Sequence, residues 1–184
     1  MSERTERSEG HERMRKGRHS MSSPPTGRLF PTADGHDLVV SRTFRAPAED
    51  VWASVTESDR TARWYGPWEG DAAPGRTIKV QMAFEDQAPW FDMRIDACEP
   101  PRRLALSATD EAGAWRIELL LSETDGRTEL RLVHHLDTPD GVGEFGPGWE
   151  FYLDQLVASR DGTSRPSFDD YYPSMKPYYD GLRT

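Results

Sequence analysis

Between His36 and Gly162 the apolar positions change period three times. Leu38, Val40, Arg42 and Phe44 share one face of a strand beginning near His36. In RAPAEDVWASVT the spacing turns helical, with Pro47 suited to a first turn and Val51, Trp52 and Val55 on one side. A second short helix follows, with Ser58 as N-cap and Arg63-Trp64-Tyr65 as a last turn stopped by Gly66-Pro67. Five alternating runs come next: Ile78 to Phe84, Phe91 to Ala97, Leu104 to Leu106, Trp115 to Leu121 and Leu130 to Leu136. Turn signals such as Thr124-Asp125-Gly126 separate them. Lys79, Asp92, Arg103, Glu118 and Arg131 sit on the opposite faces, which predicts an antiparallel meander with one wet side. In GWEFYLDQLVASRDG, Trp149, Tyr152, Leu153, Leu156 and Val157 form one stripe. They predict a helix of about twelve residues ended by Gly162.

This order predicts an α+β fold: a curved antiparallel sheet of about six strands wrapped around a long C-terminal helix, with two short helices after the first strand. The concave side of such a grip leaves room for a cavity. Residues 1–35 hold almost no apolar side chains and are expected to form a disordered tail. Residues 163–184, broken by prolines and rich in tyrosine, are expected to cross the 36–162 domain as an extended strap.

Composition narrows the partners. The 184 residues carry a net charge of −9, and residues 1–22 hold six basic against four acidic side chains, so the body is more acidic than the whole. An acidic body disfavours nucleic acid and anionic lipid surfaces. No apolar run could span a bilayer or serve as a secretory signal, and the lone Cys98 excludes an intrachain disulfide, so the expected address is the cytoplasm. A neutral or weakly polar small molecule is the expected partner, and no cofactor is implied.

Several motifs are set aside. Gly141, Gly143 and Gly146 have the spacing of a dinucleotide fingerprint, but the strand before them is amphipathic, Pro147 follows, and no strand comes afterwards. That segment is read as a flexible approach to the last helix. His134 and His135 point to opposite faces of a strand, and no CxxC, HxxxH or HExxH spacing occurs, so no metal site is expected. Neither GxSxG nor a P-loop is present, and Cys98, out of phase with the inward residues before it, reads as an inert thiol.

Three features carry candidate chemistry. His134 shares the inward face with Leu130, Leu132 and Leu136, either as a hydrogen-bonded core histidine or as an acid, base or ligand anchor. It is the one catalytic candidate. Arg42, also inward, needs a carboxylate partner or the anionic group of a ligand. RWYGPWEG sets Trp64, Tyr65 and Trp68 at a helix exit, with Trp90 at another element end, where rings either cap a core or gate a cavity.

With these residues in place the chain resembles the START-like, helix-grip superfamily known as SRPBCC, in particular the single-domain relatives of the activator of heat-shock-protein-90 ATPase. The segments SRTFRAPAEDVWASVTESDRTARWYGP and GWEFYLDQLVASRDG carry the resemblance, which runs from His36 to Gly162. It implies a cavity between sheet and long helix. The lining it implies is Trp64, Tyr65, Trp68, Met82, Phe84 and Phe91, with Met93, Trp115, His134, Trp149 and Leu153; Arg42 is a further ligand contact. The superfamily includes lipid and sterol carriers, hormone receptors and polyketide cyclases, so fold alone does not select a function. The leading expectation is a carrier, sensor or stress-related binder of a small hydrophobic molecule. A cyclase or hydrolase-like enzyme using His134 and a chaperone-interacting module are the alternatives. The eukaryotic activators carry a further N-terminal domain that this chain is expected to lack. Relatives of this size are monomers or homodimers.

Overall fold

The computed structural model describes residues 23–111 and 113–184. In chain order the elements are β1 (Arg28–Thr32), β2 (Gly35–Phe44), α1 (Ala48–Thr56), α2 (Ser58–Thr61), β3 (Trp68–Glu69), β4 (Thr77–Gln81), β5 (Trp90–Glu99), β6 (Arg103–Asp110), β7 (Gly113–Thr124), β8 (Arg127–Leu136), α3 (Val142–Asp161) and α4 (Lys176–Gly181). The strands form one antiparallel sheet in the order β1-β2-β8-β7-β6-β5-β4-β3. From β2 the chain crosses to the far edge through α1 and α2, then returns by a meander until β8 pairs with β2. Asp125 and Gly126, at φ 52° and 73°, supply the left-handed pair that a two-residue hairpin turn between β7 and β8 requires.

The inner face is built as the alternation predicts. Leu38 and Val40 on β2, Ile78 and Val80 on β4, and Leu130 and Leu132 on β8 are buried against Leu153 and Leu156 of α3. The outer face is ionic: Lys79 meets Asp92 at 2.8 Å, Arg103 meets Glu118 at 2.6 Å, and His135 lies between Asp37 (2.6 Å) and Glu118 (2.7 Å).

Four expectations change. The sheet has eight strands because both edges gain one: the two-residue β3, and β1, which lies inside the predicted tail. β1 is held by main-chain pairing to β2 along Arg28 to Thr32, which needs little apolar sequence. Residues 1–22 of the expected tail lie outside the described residues. β4 stops at Gln81, so Met82 and Phe84 belong to a loop in which Gln87 and Ala88 take φ 64° and 42°. A register shift between Ile95 and Ala97 resets the alternation of β5, so Cys98 pairs with Leu104 and faces inward.

The largest change is in α3, which is 20 residues long and begins within the supposed flexible link. Gly143 and Gly146 are packing positions. A Cβ on Gly146 would run into the ring of Tyr179, and one on Gly143 into Asp180 and Lys176. Tertiary packing against α4 therefore overrides the poor helix propensity of the glycines. The C-terminal segment, expected to be extended, is partly helical, with a 3-10 turn at Phe168–Asp170 followed by α4. Tyr171, Met175 and Tyr179 are buried along it.

Candidate functional site

The aromatic helix exit is fixed by its own polar atoms. Ser58 Oγ donates to the Trp68 carbonyl (2.6 Å) and accepts the Trp68 amide (2.8 Å). The Trp64 indole N–H donates to the Ser54 carbonyl (2.9 Å) and that of Trp68 to the Thr56 carbonyl (2.8 Å). Gln155 on α3 donates to the Trp64 carbonyl at 2.9 Å. Gly66 is required here, since a Cβ would overlap the carbonyl oxygen of Gln81. With both indole donors satisfied by the chain itself, the rings present only carbon to the interior.

The space they face divides into two neighbouring pockets, or lobes, on the inner side of the sheet. The smaller, of about 210 Å³, lies under Trp64 and Trp68 and is walled by Ile78, Val80, Ile95 and Cys98. The larger, of about 360 Å³, is bounded by Met82, Phe91, Trp115, Phe145, Tyr152 and Phe168. Tyr65, Met93, Ile117 and Trp149 border both lobes and form the partition. Burial raises the Cys98 thiol above its ordinary value, so it acts as apolar wall.

The larger lobe has a polar end. The Tyr152 hydroxyl donates to Glu85 Oε1 at 2.6 Å, from α3 to the loop after β4. Burial, followed by the hydrogen bond to Glu85 for Tyr152 and by the charge of Glu85 for Tyr65, pushes both phenols far up, so each remains neutral. Their rings are tilted against each other with centroids 4.9 Å apart.

Of the residues singled out from the sequence, Trp64, Tyr65, Trp68, Met82, Phe91, Met93, Trp115 and Trp149 border the cavity. Four do not. Arg42 is occupied: Nη2 donates to Glu150 (2.7 Å) and Nε to Asp154 (2.8 Å), both on α3. Glu150 also accepts the Tyr179 hydroxyl and the amides of Thr26 and Gly27, so it ties β2, α3 and the C-terminal segment together. Burial opposes ionisation of Glu150, but the hydrogen bonds from Tyr179 and Arg42 outweigh it and hold the carboxyl below its ordinary range. His134 is sealed behind the wall, stacked on Trp115 at 4.8 Å, with its Nδ1 accepting the Trp149 indole N–H at 3.2 Å. Burial first, then the charges of His135 and Arg116, lower its pKa to about 4, so it is a neutral acceptor that orients wall indoles. Phe84 lies on the loop under the Arg165 guanidinium, 4.9 Å from its ring. Leu153 is fully buried in the core.

Several wall residues escaped the sequence reading. Cys98 was hidden by the bulge. Phe145 precedes Trp149 by four residues and Tyr152 by seven, so continuing the helical stripe backwards through the glycines would have found it. Glu85, on an exposed loop, left no pattern. Among the described residues no His, Cys, Asp or Glu cluster is placed to hold a metal, and no helix is long and apolar enough to cross a membrane.

Residues 45–159, more than half of the chain, match the family described as Activator of Hsp90 ATPase homolog 1-like protein. The chain belongs to this family. Its fold is the helix-grip of the SRPBCC, START-like superfamily. Among solved structures it is similar to CalU16 from Micromonospora echinospora (TM-score 0.70, 26% identity, covering 88% of this chain and 98% of that one). It is also similar to DynU16, a protein of the dynemicin biosynthetic locus (TM-score 0.61, 21% identity, 74% of this chain and 50% of that one). A third relative is the Aha1 dimer from Colwellia psychrerythraea (TM-score 0.55, 18% identity, 67% of this chain and 94% of that one). A search of curated proteins gives no match.

Proposed function

We propose that the protein binds a small, mostly apolar molecule in the two-lobed cavity and acts as a carrier or sensor. The observation that carries this reading is the larger lobe, about 360 Å³ of space walled mostly by aromatic and aliphatic side chains, whose indole donors already have partners within the chain, with carboxylates at its border. Such a wall offers contact area and little polar competition, which are the properties of a small-molecule site. A binder is favoured over a catalyst using His134. That imidazole is behind Trp115 and Trp149, and at a pKa of about 4 it is neutral near pH 7, so it has no imidazolium proton to give as an acid and is a weak base.

Native mass spectrometry of gently purified protein tests the reading, with Met93→Trp as the control. Met93 borders both lobes, so an indole there fills the partition. A co-purifying hydrophobe of defined mass is expected on the wild type and is expected to be lost from the folded variant. Retention of the same mass by Met93→Trp would place the molecule elsewhere and end the proposal.

A further inference from the structure

The lining of the larger lobe is uneven in charge. Glu85, Asp92, Asp110 and Glu144 border it, and no lysine, arginine or histidine does. Two of these carboxylates have cations of their own: Asp92 pairs with Lys79 at 2.8 Å and Glu144 with Lys176 at 2.6 Å. Asp110 accepts the Trp115 indole N–H at 3.0 Å. Glu85 differs. It takes the Tyr152 hydroxyl on Oε1 and has no Lys, Arg or His partner within 4.0 Å among the described residues. Arg165, whose guanidinium lies nearby over Phe84, makes no ion pair with it.

Around this carboxylate stand π-faces. Tyr65 and Tyr152 pack against each other, and Phe91, Trp115 and Phe145 complete the walls. The Tyr65 ring reaches the cavity, and its hydroxyl has no hydrogen-bond partner among the described residues. Aromatic faces gathered around an unpaired carboxylate attract an organic cation twice, through the ring quadrupole and through the charge. An anionic guest would meet repulsion from Glu85. The N-terminus of α3 would favour an anion, but Glu144 lies in its first turn at the border of the lobe.

We infer that the preferred ligand is a hydrophobic amine, its aromatic or alkyl body in the larger lobe and its ammonium at Glu85, with Tyr65 and Tyr152 beside it. This rests on the proposed binding function and specifies its ligand class. Three probes that share a ring system and differ in charge separate the two claims: naphthylethylamine, naphthylethanol and naphthylacetate, titrated by tryptophan fluorescence against wild type and Glu85→Gln. Glutamine keeps an acceptor for Tyr152, and the loop is exposed, so the substitution removes charge alone. The amine is expected to bind about tenfold more tightly than the alcohol and the acetate more weakly than both, with the amine advantage lost in Glu85→Gln and alcohol affinity unchanged. Equal binding of all three, or a preference that survives Glu85→Gln, overturns the amine assignment and leaves the cavity as a binding site. Failure of all three to bind overturns both.

Discussion

His134 and Trp149 illustrate how one hydrogen bond fixes a wall. The imidazole must keep Nδ1 unprotonated to accept the indole N–H at 3.2 Å, and its burial enforces that state. The folded pKa of about 4 lies below the ordinary value of 6.5, so the unfolded chain takes up the proton first as the pH falls. Stability from this group is complete above about pH 7 and drains away between pH 6.5 and pH 4. At about 1.4 kcal/mol per unit of displacement, roughly 2 kcal/mol is lost on going from pH 7 to pH 5. Asparagine can place an acceptor near the Nδ1 position and does not titrate. His134→Asn is therefore expected to be less stable than wild type at pH 7 and to lose about 2 kcal/mol less between the two pH values, read from urea midpoints. Parallel losses in the two proteins would show that His134 titrates normally. The inward direction of His134 was legible from period two alone; its concealment was not, because Trp115 and Trp149 come from the adjoining elements β7 and α3, whose placement over the ring period two does not give.

At the scale of elements, the docking of α4 on α3 pits propensity against packing. Alanine in place of an exposed helical glycine stabilises by up to about 1 kcal/mol. At Gly146 the added methyl would meet the ring of Tyr179, which is fully buried and hydrogen-bonded through its hydroxyl to Glu150. The ring has no room to retreat, so Gly146→Ala is expected to cost about 1–3 kcal/mol in chemical denaturation. In a Tyr179→Ala background the same change becomes neutral or stabilising, a coupling that a double-mutant cycle measures. A stabilising effect in the otherwise intact protein would mean that α4 is loosely seated. The same balance explains what the sequence reading missed. Amphipathic elements, from β2 through the meander to the last turns of α3, announce themselves by spacing. Elements that exist because a neighbour needs them do not: β1 uses main-chain pairing, and the first turns of α3 hold Gly143 and Gly146, which clear space for Asp180 and Tyr179. The bulge in β5 defeats period two for a different reason, since one extra residue reverses every face beyond it.

On the scale of the whole molecule, the fold grips its helix by the ionic node at one side, Arg42 to Glu150 and Asp154, and by the core around Leu153 and Leu156, leaving the larger lobe open toward the N-terminal half of α3. Around that lobe stand the loop of residues 82–89, the β6–β7 ends and the first turns of α3, three segments with few bonds to one another beyond Tyr152 to Glu85 and the wall contacts. A guest that fills the lobe joins all three, so its binding energy must appear in their local opening as well as in global unfolding. With naphthylethylamine at about a hundredfold over its Kd, linkage adds about 2.7 kcal/mol to unfolding. Hydrogen exchange should slow at Ala83 and Glu85, whose amides bond to the Tyr65 and Met82 carbonyls, and in the Phe145 turn. The pairing of β1 with β2 lies outside this frame and should gain protection only through the global term. Slowing confined to β1 and β2, with no change in loop 82–89, would put the guest outside the grip. A uniform increase everywhere would leave the global gain real but remove the three-sided closure expected of a guest in the larger lobe.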